Sequence, residues 1–213
     1  MIQLKKFVFN LFSENTYLLW DDKTRECAVI DPGCFDESEK KVLENFIIHE
    51  SLKVEYLINT HCHIDHIFGC EFIKKRFDPI YLVPELDFPL LQNANSQAAM
   101  FGIVFTFSLN PDQYLSEEKK INLGQSELNF LFTPGHSPGE YCIYLPNENI
   151  CITGDVLFNA SIGRTDLWGG NYDTLIKSIR EKILVLPDNT TIYPGHGDSS
   201  TIDNEKRFNP FLN

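Results

Sequence analysis

The chain has 213 residues, 43% hydrophobic and 13% aromatic, which suits one globular domain with a substantial core. Its 30 acidic and 18 basic residues give a formal net charge of -12, which argues against a broad surface for nucleic acid or anionic membrane. No apolar run approaches the roughly 18 residues of a membrane helix, and the N-terminal stretch lacks the continuous apolar region of a signal peptide. We therefore expect one cytoplasmic domain, residues 1–213, with no nucleic-acid or membrane partner.

The first part of the chain has the pattern of an antiparallel sheet followed by a helix. Three strand-like segments, IQLKKFVF, NTYLLWDD and ECAVIDPG, each end in polar, glycine or proline residues. The segment DESEKKVLENFIIHE places apolar residues at helical spacing after an acidic first turn, which predicts an amphipathic helix. A further strand, KVEYLINT, then leads directly into THCHIDH, and the residues after Ile64 return to helical spacing.

The second part alternates strands with tight turns. The segments ELNFLFTPG, EYCIYLPN and NICITGD are predicted strands, and TTIYPGHG is the final one. A last helix is predicted to begin near Asp173, which has the character of an N-cap. Two strand-rich halves, each followed by helices, favour an α/β fold of two packed sheets with helices outside.

The six cysteines form no C-x-x-C pair, and several stand in apolar segments such as CAVI and YCIYL. In a chain of this length without a secretion signal, this pattern predicts buried, reduced thiols instead of a disulfide framework.

Three of the six histidines fall within THCHIDH, at the end of a predicted strand. Imidazole is a common ligand of zinc and related metals. Residues i and i+2 of an extended segment point to the same side, so His61 and His63 can share one ion while Cys62 points away. Asp65 and His66 stand where the chain turns into a helix, so their side chains can serve a second ion nearby.

Three more potential ligands follow later strands. His136 stands in PGHSPG, Asp155 in ITGD and His196 in PGHG. Each one alone would be interpreted as a turn residue beside glycine. A position between two cations would keep Asp155 ionised, because no basic residue lies next to it in the sequence. Taken with the histidine cluster, these residues predict a metal site.

In this order, THCHIDH, PGHSPG, TGD and PGHG resemble the pattern of the metallo-β-lactamase-fold hydrolases. The resemblance runs from the IDPG turn to the NPFL segment near the C-terminus, and it is closest to short bacterial proteins similar to glyoxalase II, a hydroxyacylglutathione hydrolase. It implies an αββα four-layer sandwich, with two mixed sheets, helices outside and metals at one edge of the sheets. Full-length glyoxalase II has a C-terminal helical substrate domain, which we expect this chain to lack.

The resemblance also implies two divalent ions, expected to be zinc, with iron or manganese as alternatives. The implied ligands are His61, His63 and His136 for the first ion, Asp65, His66 and His196 for the second, and Asp155 as the bridge. Asp65 and Asp155 are in addition the carboxylates expected to take part in catalysis.

The implied reaction is hydrolysis of a thioester, such as an S-(2-hydroxyacyl)glutathione, by attack of a metal-bridged hydroxide. A thiolate is a tolerable leaving group without strong acid assistance. Arg164, in GRTD, falls where glyoxalase II-like enzymes carry a basic residue that contacts a substrate carboxylate, and a guanidinium suits that contact. An ion pair between Arg164 and Asp166 that braces the loop fits the sequence equally well.

Other activities on the same fold remain as alternatives. A persulfide dioxygenase shares the GRTD stretch and would hold one iron through His61, His136 and Asp155. A phosphodiesterase or nuclease also uses a two-metal site, although the acidic composition counts against it. The non-enzymatic alternative is a ligand-binding protein with an inactive site.

Overall fold

The computed structural model describes residues 1–212, and their contacts divide the chain into two compact units. The first unit contains Met1–Tyr114 and Asn122–Ser126. The second contains Leu115–Ile121 and the chain from Glu127 onward. Each unit is built around a six-stranded sheet. The expectation of a single domain over residues 1–213 stays a prediction.

The sheet of the first unit is mixed. Its strands, in the order in which they pair, are β1 (Ile2–Phe9), β2 (Glu14–Asp21), β3 (Glu26–Ile30), β4 (Lys53–Ile58), β5 (Ile80–Val83) and β6 (Gln113–Tyr114). The first three pair antiparallel, as the sequence predicts, and β3 to β6 run parallel. The histidine cluster follows the carboxyl end of β4, in the parallel part of the sheet.

The helices of the first unit are α1 (Glu37–His49), α2 (Cys70–Phe77), α3 (Phe88–Gln92) and α4 (Ala94–Met100). The predicted amphipathic helix is α1, and its start is fixed by a capping box. The Asp36 carboxylate accepts hydrogen bonds from the backbone N–H groups of Ser38 and Glu39 at 2.8 and 2.9 Å, and the Glu39 side chain reaches back to Asp36. Leu43 and Ile47 are buried on its inner face.

A second mixed sheet lies mostly in the second unit, although residues 122–123 and 126 of its strands belong to the first unit. Its strands, in chain and pairing order, are β7 (Lys120–Leu123), β8 (Ser126–Phe132), β9 (Tyr141–Leu145), β10 (Ile150–Gly154), β13 (Thr191–Pro194) and β14 (Ser200–Thr201). The strands β11 (Leu157–Phe158) and β12 (Ser161–Ile162) form a separate ribbon. β10 and β13 run parallel, so their carboxyl ends lie at the same edge of the sheet.

The helices of the second unit are α5 (Tyr172–Ser178), which continues into a π-helical turn (Ile179–Ile183), and α6 (Ile202–Phe208). Two details of the predicted last helix are wrong. The N-cap of α5 is Asn171, whose side chain accepts a hydrogen bond from the Thr174 N–H at 2.8 Å. Asp173 instead lies in the first turn, where a carboxylate favours the helix dipole. The second wrong detail is that α5 is not the last helix, because α6 follows it in the chain.

Apolar side chains fill both units. The core of the first includes Leu18, Val29, Leu43, Leu57 and Cys62, and that of the second includes Val156, Leu175, Ile179, Ile192 and Ile202. All six cysteines lie within the described residues, where they are buried and free, as predicted, and burial raises the pKa of Cys34 to about 12. Among residues 1–212, no helix has the length and apolar character needed to span a membrane.

Candidate metal centre

The first group of predicted ligands lies just after β4. Because β4 pairs in parallel with β3 and β5, its carboxyl end faces the edge where parallel sheets place their ligand sites. The His61 ring centroid lies 4.9 Å from that of His63 and 4.1 Å from that of His66. Asp65 and His66 come from a 3-10 turn, Ile64–His66, and the Asp65 Oδ2 atom lies 3.7 Å from the His66 Nε2 atom. The structure thus brings these four side chains together.

A buried carboxylate, Asp31, lies behind this group. It accepts hydrogen bonds from the Thr60 N–H at 2.8 Å and the Thr60 hydroxyl at 2.6 Å, and its Oδ2 atom is 3.3 Å from His66 Nδ1. Asp31 adopts a left-handed backbone conformation, with φ of 48°, which is uncommon for a residue other than glycine. Asp31 could not be singled out from the sequence, because its contacts join segments that are far apart in the chain.

The Thr60 hydroxyl determines which His61 nitrogen is basic. Its one hydrogen points to the Asp31 carboxylate, which can only accept when ionised. The Thr60 oxygen must therefore accept from His61 Nδ1, which lies 3.1 Å away. His61 Nδ1 then carries the ring hydrogen, and Nε2 is the atom with the lone pair that a metal requires.

Cys62 stands apart from the ligand atoms. Its side chain belongs to the apolar core, and burial raises the pKa of its thiol well above the ordinary value. Its backbone N–H donates to the Asp87 carboxylate, and its carbonyl oxygen accepts from Gln97 Nε2, both at 3.1 Å. The prediction that Cys62 points away from the metal site as a spacer is confirmed.

The second group of predicted ligands comprises His136, Asp155 and His196, all in the second unit. Asp155 follows β10 directly and His196 follows β13, so the parallel pairing of these strands brings the two residues together. The Asp155 Oδ2 atom lies 3.5 Å from His136 Nε2 and 3.6 Å from His196 Nε2. One carboxylate oxygen thus stands at nearly equal distance from two imidazole nitrogens.

These separations suit metal ligands. Two donors of a tetrahedral ion with bonds of about 2.0–2.2 Å lie about 3.4 Å apart. The Asp155 pairs, at 3.5 and 3.6 Å, and the Asp65–His66 pair, at 3.7 Å, are close to that separation. Imidazole and carboxylate are also the donors that zinc, iron and manganese accept. These three pairs are therefore spaced as two donors to one divalent metal ion would be.

Backbone groups orient the second group. His136 Nδ1 donates to the Arg164 carbonyl oxygen at 2.8 Å, which leaves Nε2 as the basic nitrogen that faces Asp155. The Asp155 N–H donates to the buried Glu140 carboxylate at 2.7 Å. A Cβ atom at Gly163 would overlap the Asp155 carbonyl oxygen, so this position requires glycine. Neither Glu140 nor Gly163 was predicted from the sequence.

The Arg164 side chain makes the ion pair with Asp166 that the sequence left open. Its Nε and Nη2 atoms donate to the two Asp166 carboxylate oxygens, each at 2.7 Å, and both side chains are exposed. The bonds from Arg164 lower the pKa of Asp166 to about 2. A role for Arg164 in substrate binding stays a prediction.

Comparisons with known proteins agree with this description. The family model described as the Metallo-beta-lactamase superfamily matches residues 10–196. Among similar proteins, hydroxyacylglutathione hydrolase GloC of Haemophilus influenzae is 39% identical over 204 residues, covering 95% of this chain and 94% of that protein. The probable metallo-hydrolase YqgX of Bacillus subtilis is 37% identical over 201 residues, covering 93% and 92%.

Solved structures give the same result. The crystal structure of BLEG-1 B3 metallo-beta-lactamase matches with a TM-score of 0.90 and 33% identity, covering 99% of both chains. The crystal structure of TTHA1623 in a di-iron-bound form matches with a TM-score of 0.87 and 31% identity, covering 98% of this chain and 100% of that one. The predicted α/β fold is confirmed, and the chain belongs to the metallo-beta-lactamase superfamily as a metal-dependent hydrolase.

Proposed function

We propose that the protein is a dinuclear thioesterase whose substrate is a thioester such as an S-(2-hydroxyacyl)glutathione. One observation carries the proposal: a single oxygen, Asp155 Oδ2, lies 3.5 Å from His136 Nε2 and 3.6 Å from His196 Nε2. The family pattern assigns these two histidines to different ions. A carboxylate oxygen that lies one ligand-to-ligand separation from both histidines would suit a bridge between the two ions that those histidines would hold.

The proposed ligands are the seven residues that the family pattern implies, namely His61, His63, Asp65, His66, His136, Asp155 and His196. Zinc is the proposed metal, and iron is the alternative favoured by the di-iron-bound neighbour. Two such ions, when bound, lower the pKa of water and polarise the carbonyl of the substrate.

The chain itself supplies orientation around the ligands. Asp31 and Thr60 hold His61 in the tautomer with a basic Nε2, and the Arg164 carbonyl does the same for His136. Glu140 fixes the backbone of Asp155. Because these groups are held by the fold, the donor atoms are arranged before a substrate arrives.

The proposed substrate class rests on similarity and on the chemistry of the leaving group. A relative with 39% identity is a hydroxyacylglutathione hydrolase. A thiolate leaves without a strong acid beside it, so thioester hydrolysis needs no acidic side chain besides the metal ligands and the residues that orient them. We assign the Arg164 guanidinium to a carboxylate of the thiol portion, which would replace Asp166 as its partner.

The proposed location is the cytoplasm, where thiols stay reduced, because the six cysteines are buried and free. The proposed partner is the small-molecule thioester, without nucleic acid or membrane.

Purified protein can decide between the thioesterase and its rivals. Metal analysis should give two divalent ions per chain, and S-lactoylglutathione and simple thioesters should be hydrolysed. One iron per chain with oxygen uptake on glutathione persulfide would replace the proposal with a dioxygenase. Hydrolysis of a phosphodiester but of no thioester would replace it with a phosphodiesterase.

A further inference from the structure

An exposed apolar surface lies on two elements of the first unit, the tip of the β1–β2 hairpin and the end of α4 with the segment after it. Its members are Leu11, Met100, Phe101 and Val104, whose exposed fractions are 67, 80, 51 and 96%. Phe12 joins the two elements, because its ring packs edge-on against Phe101 with centroids 5.0 Å apart. We call these five residues the apolar wall.

Both elements of the apolar wall are attached directly to the ligand motif. Asn10, next to Leu11, donates from its side-chain amide to the Asp65 carbonyl oxygen at 3.0 Å. Gln97, on α4, donates to the Cys62 carbonyl oxygen at 3.1 Å. The helix α4 also packs against the 3-10 turn Ile64–His66 that carries Asp65 and His66. The apolar wall therefore flanks the stretch of chain that supplies four predicted ligands.

The charge of this region is unusual for the chain. Charged residues make up 23% of the sequence, yet none occurs between Asp87 and Asp112, the segment that contains α3, α4 and most of the apolar wall. A surface without charge does not attract carboxylates or phosphates. Covering large exposed apolar side chains with an apolar group, in contrast, lowers the free energy.

We propose that the apolar wall binds the acyl chain of the substrate, so that the enzyme prefers thioesters with an apolar, straight-chain acyl group. This inference rests on the proposed thioesterase function and adds the substrate class. An acyl chain is neutral and begins at the carbon that the reaction attacks, so it must lie beside the metal ligands. The neutral apolar wall lies there, whereas Arg164, the one basic residue assigned to substrate, belongs to the thiol portion.

The test uses thioesters of one neutral thiol, N-acetylcysteamine, with straight acyl chains from butanoyl to octanoyl, whose carbonyl groups are equally reactive. In the metal-loaded wild-type protein, kcat/KM should rise with each added methylene by up to about fourfold, the equilibrium value of burying one CH2. The double variant Leu11→Ser/Met100→Ser should flatten this dependence. Ile48→Ser, which changes a 54% exposed residue on α1, is the matched control and should keep it.

A wild-type rate independent of chain length, or an equal dependence in wild type and double variant, would overturn the inference. So would light scattering that shows a dimer in the wild type and a monomer in the double variant, because the surface would then join two copies.

Failure of the thioesterase function gives a different result. If no thioester is hydrolysed, calorimetric titration with non-hydrolysable S-alkyl thioethers of the same thiol still tests the apolar wall. Affinity that rises with alkyl length in the wild type and falls in the double variant supports it, and affinity independent of length refutes it.

Discussion

Asp155 is the residue on which the arrangement of the second group depends, because its Oδ2 atom is shared between His136 and His196. We predict that Asp155→Ala removes at least one of two bound ions and lowers kcat by at least about 100-fold. Loss of a residue that only hydrogen-bonds to a metal ligand already lowers metal affinity or activity by up to about 100-fold. Elemental analysis and a thioester assay measure both effects. Cys62→Ser, which changes a core residue, should keep both ions. An Asp155→Ala protein with full metal content would refute the bridging role.

The variant Asp31→Asn tests whether a residue that orients the histidine ligands strengthens metal binding. In Asp31→Asn, an amide replaces the carboxylate that accepts from Thr60 and lies 3.3 Å from His66 Nδ1, so the tautomer of His61 is no longer fixed. We predict about 10- to 100-fold weaker metal binding, measured by competition with a chelator. Asp21→Asn is the control, because Asp21 is another buried, hydrogen-bonded carboxylate of the same unit. Equal affinities in the two variants would contradict the role of Asp31.

The Arg164–Asp166 ion pair makes a separate prediction about the substrate. Asp166→Asn frees the guanidinium, so KM for S-lactoylglutathione should fall about two- to fivefold, the scale of an exposed ion pair. KM for a neutral thioester should stay the same. Arg164→Ala should have the opposite effect on the anionic substrate only. If Asp166→Asn changes KM by the same factor for the anionic and the neutral substrate, the ion pair only stabilises the loop.

Among the elements, α5 distinguishes a true N-cap from an acidic residue in the first turn. Asn171→Ala removes the acceptor for the Thr174 N–H and should lower the free energy of unfolding by about 1 kcal/mol. Asp173→Ala removes only a favourable charge and should cost less, about 0.3–1 kcal/mol. Urea unfolding of both variants gives the comparison. A larger loss in Asp173→Ala would restore Asp173 as the cap.

Element types were predictable where the local pattern is strong. The strand before THCHIDH, the turn that redirects Asp65 and the amphipathic helix α1 follow from the periodicity of apolar residues and from capping residues. The N-cap of α5 and the helix α6 were missed, because short helices with one or two buried residues give a weak periodic signal. Packing against the rest of the fold determines where such short helices form, and a local sequence pattern contains no information about that packing.

For the whole molecule, four short motifs were enough to identify the superfamily, since each follows a strand and carries a donor for metal. The residues that hold those donors were not predictable. Asp31, Glu140 and Gly163 act through contacts with residues distant in sequence, and Arg164 acts through a backbone carbonyl that any residue possesses. A sequence pattern shows the chemistry of side chains, whereas the support around them depends on the folded chain.

A metal titration tests the dinuclear thioesterase most directly. Metal-free protein receives zinc in steps while the initial rate of S-lactoylglutathione hydrolysis is followed. The rate should rise until two equivalents per chain are bound and then stay constant. A rate that is complete after one equivalent, or no hydrolysis at any zinc content, would contradict the account.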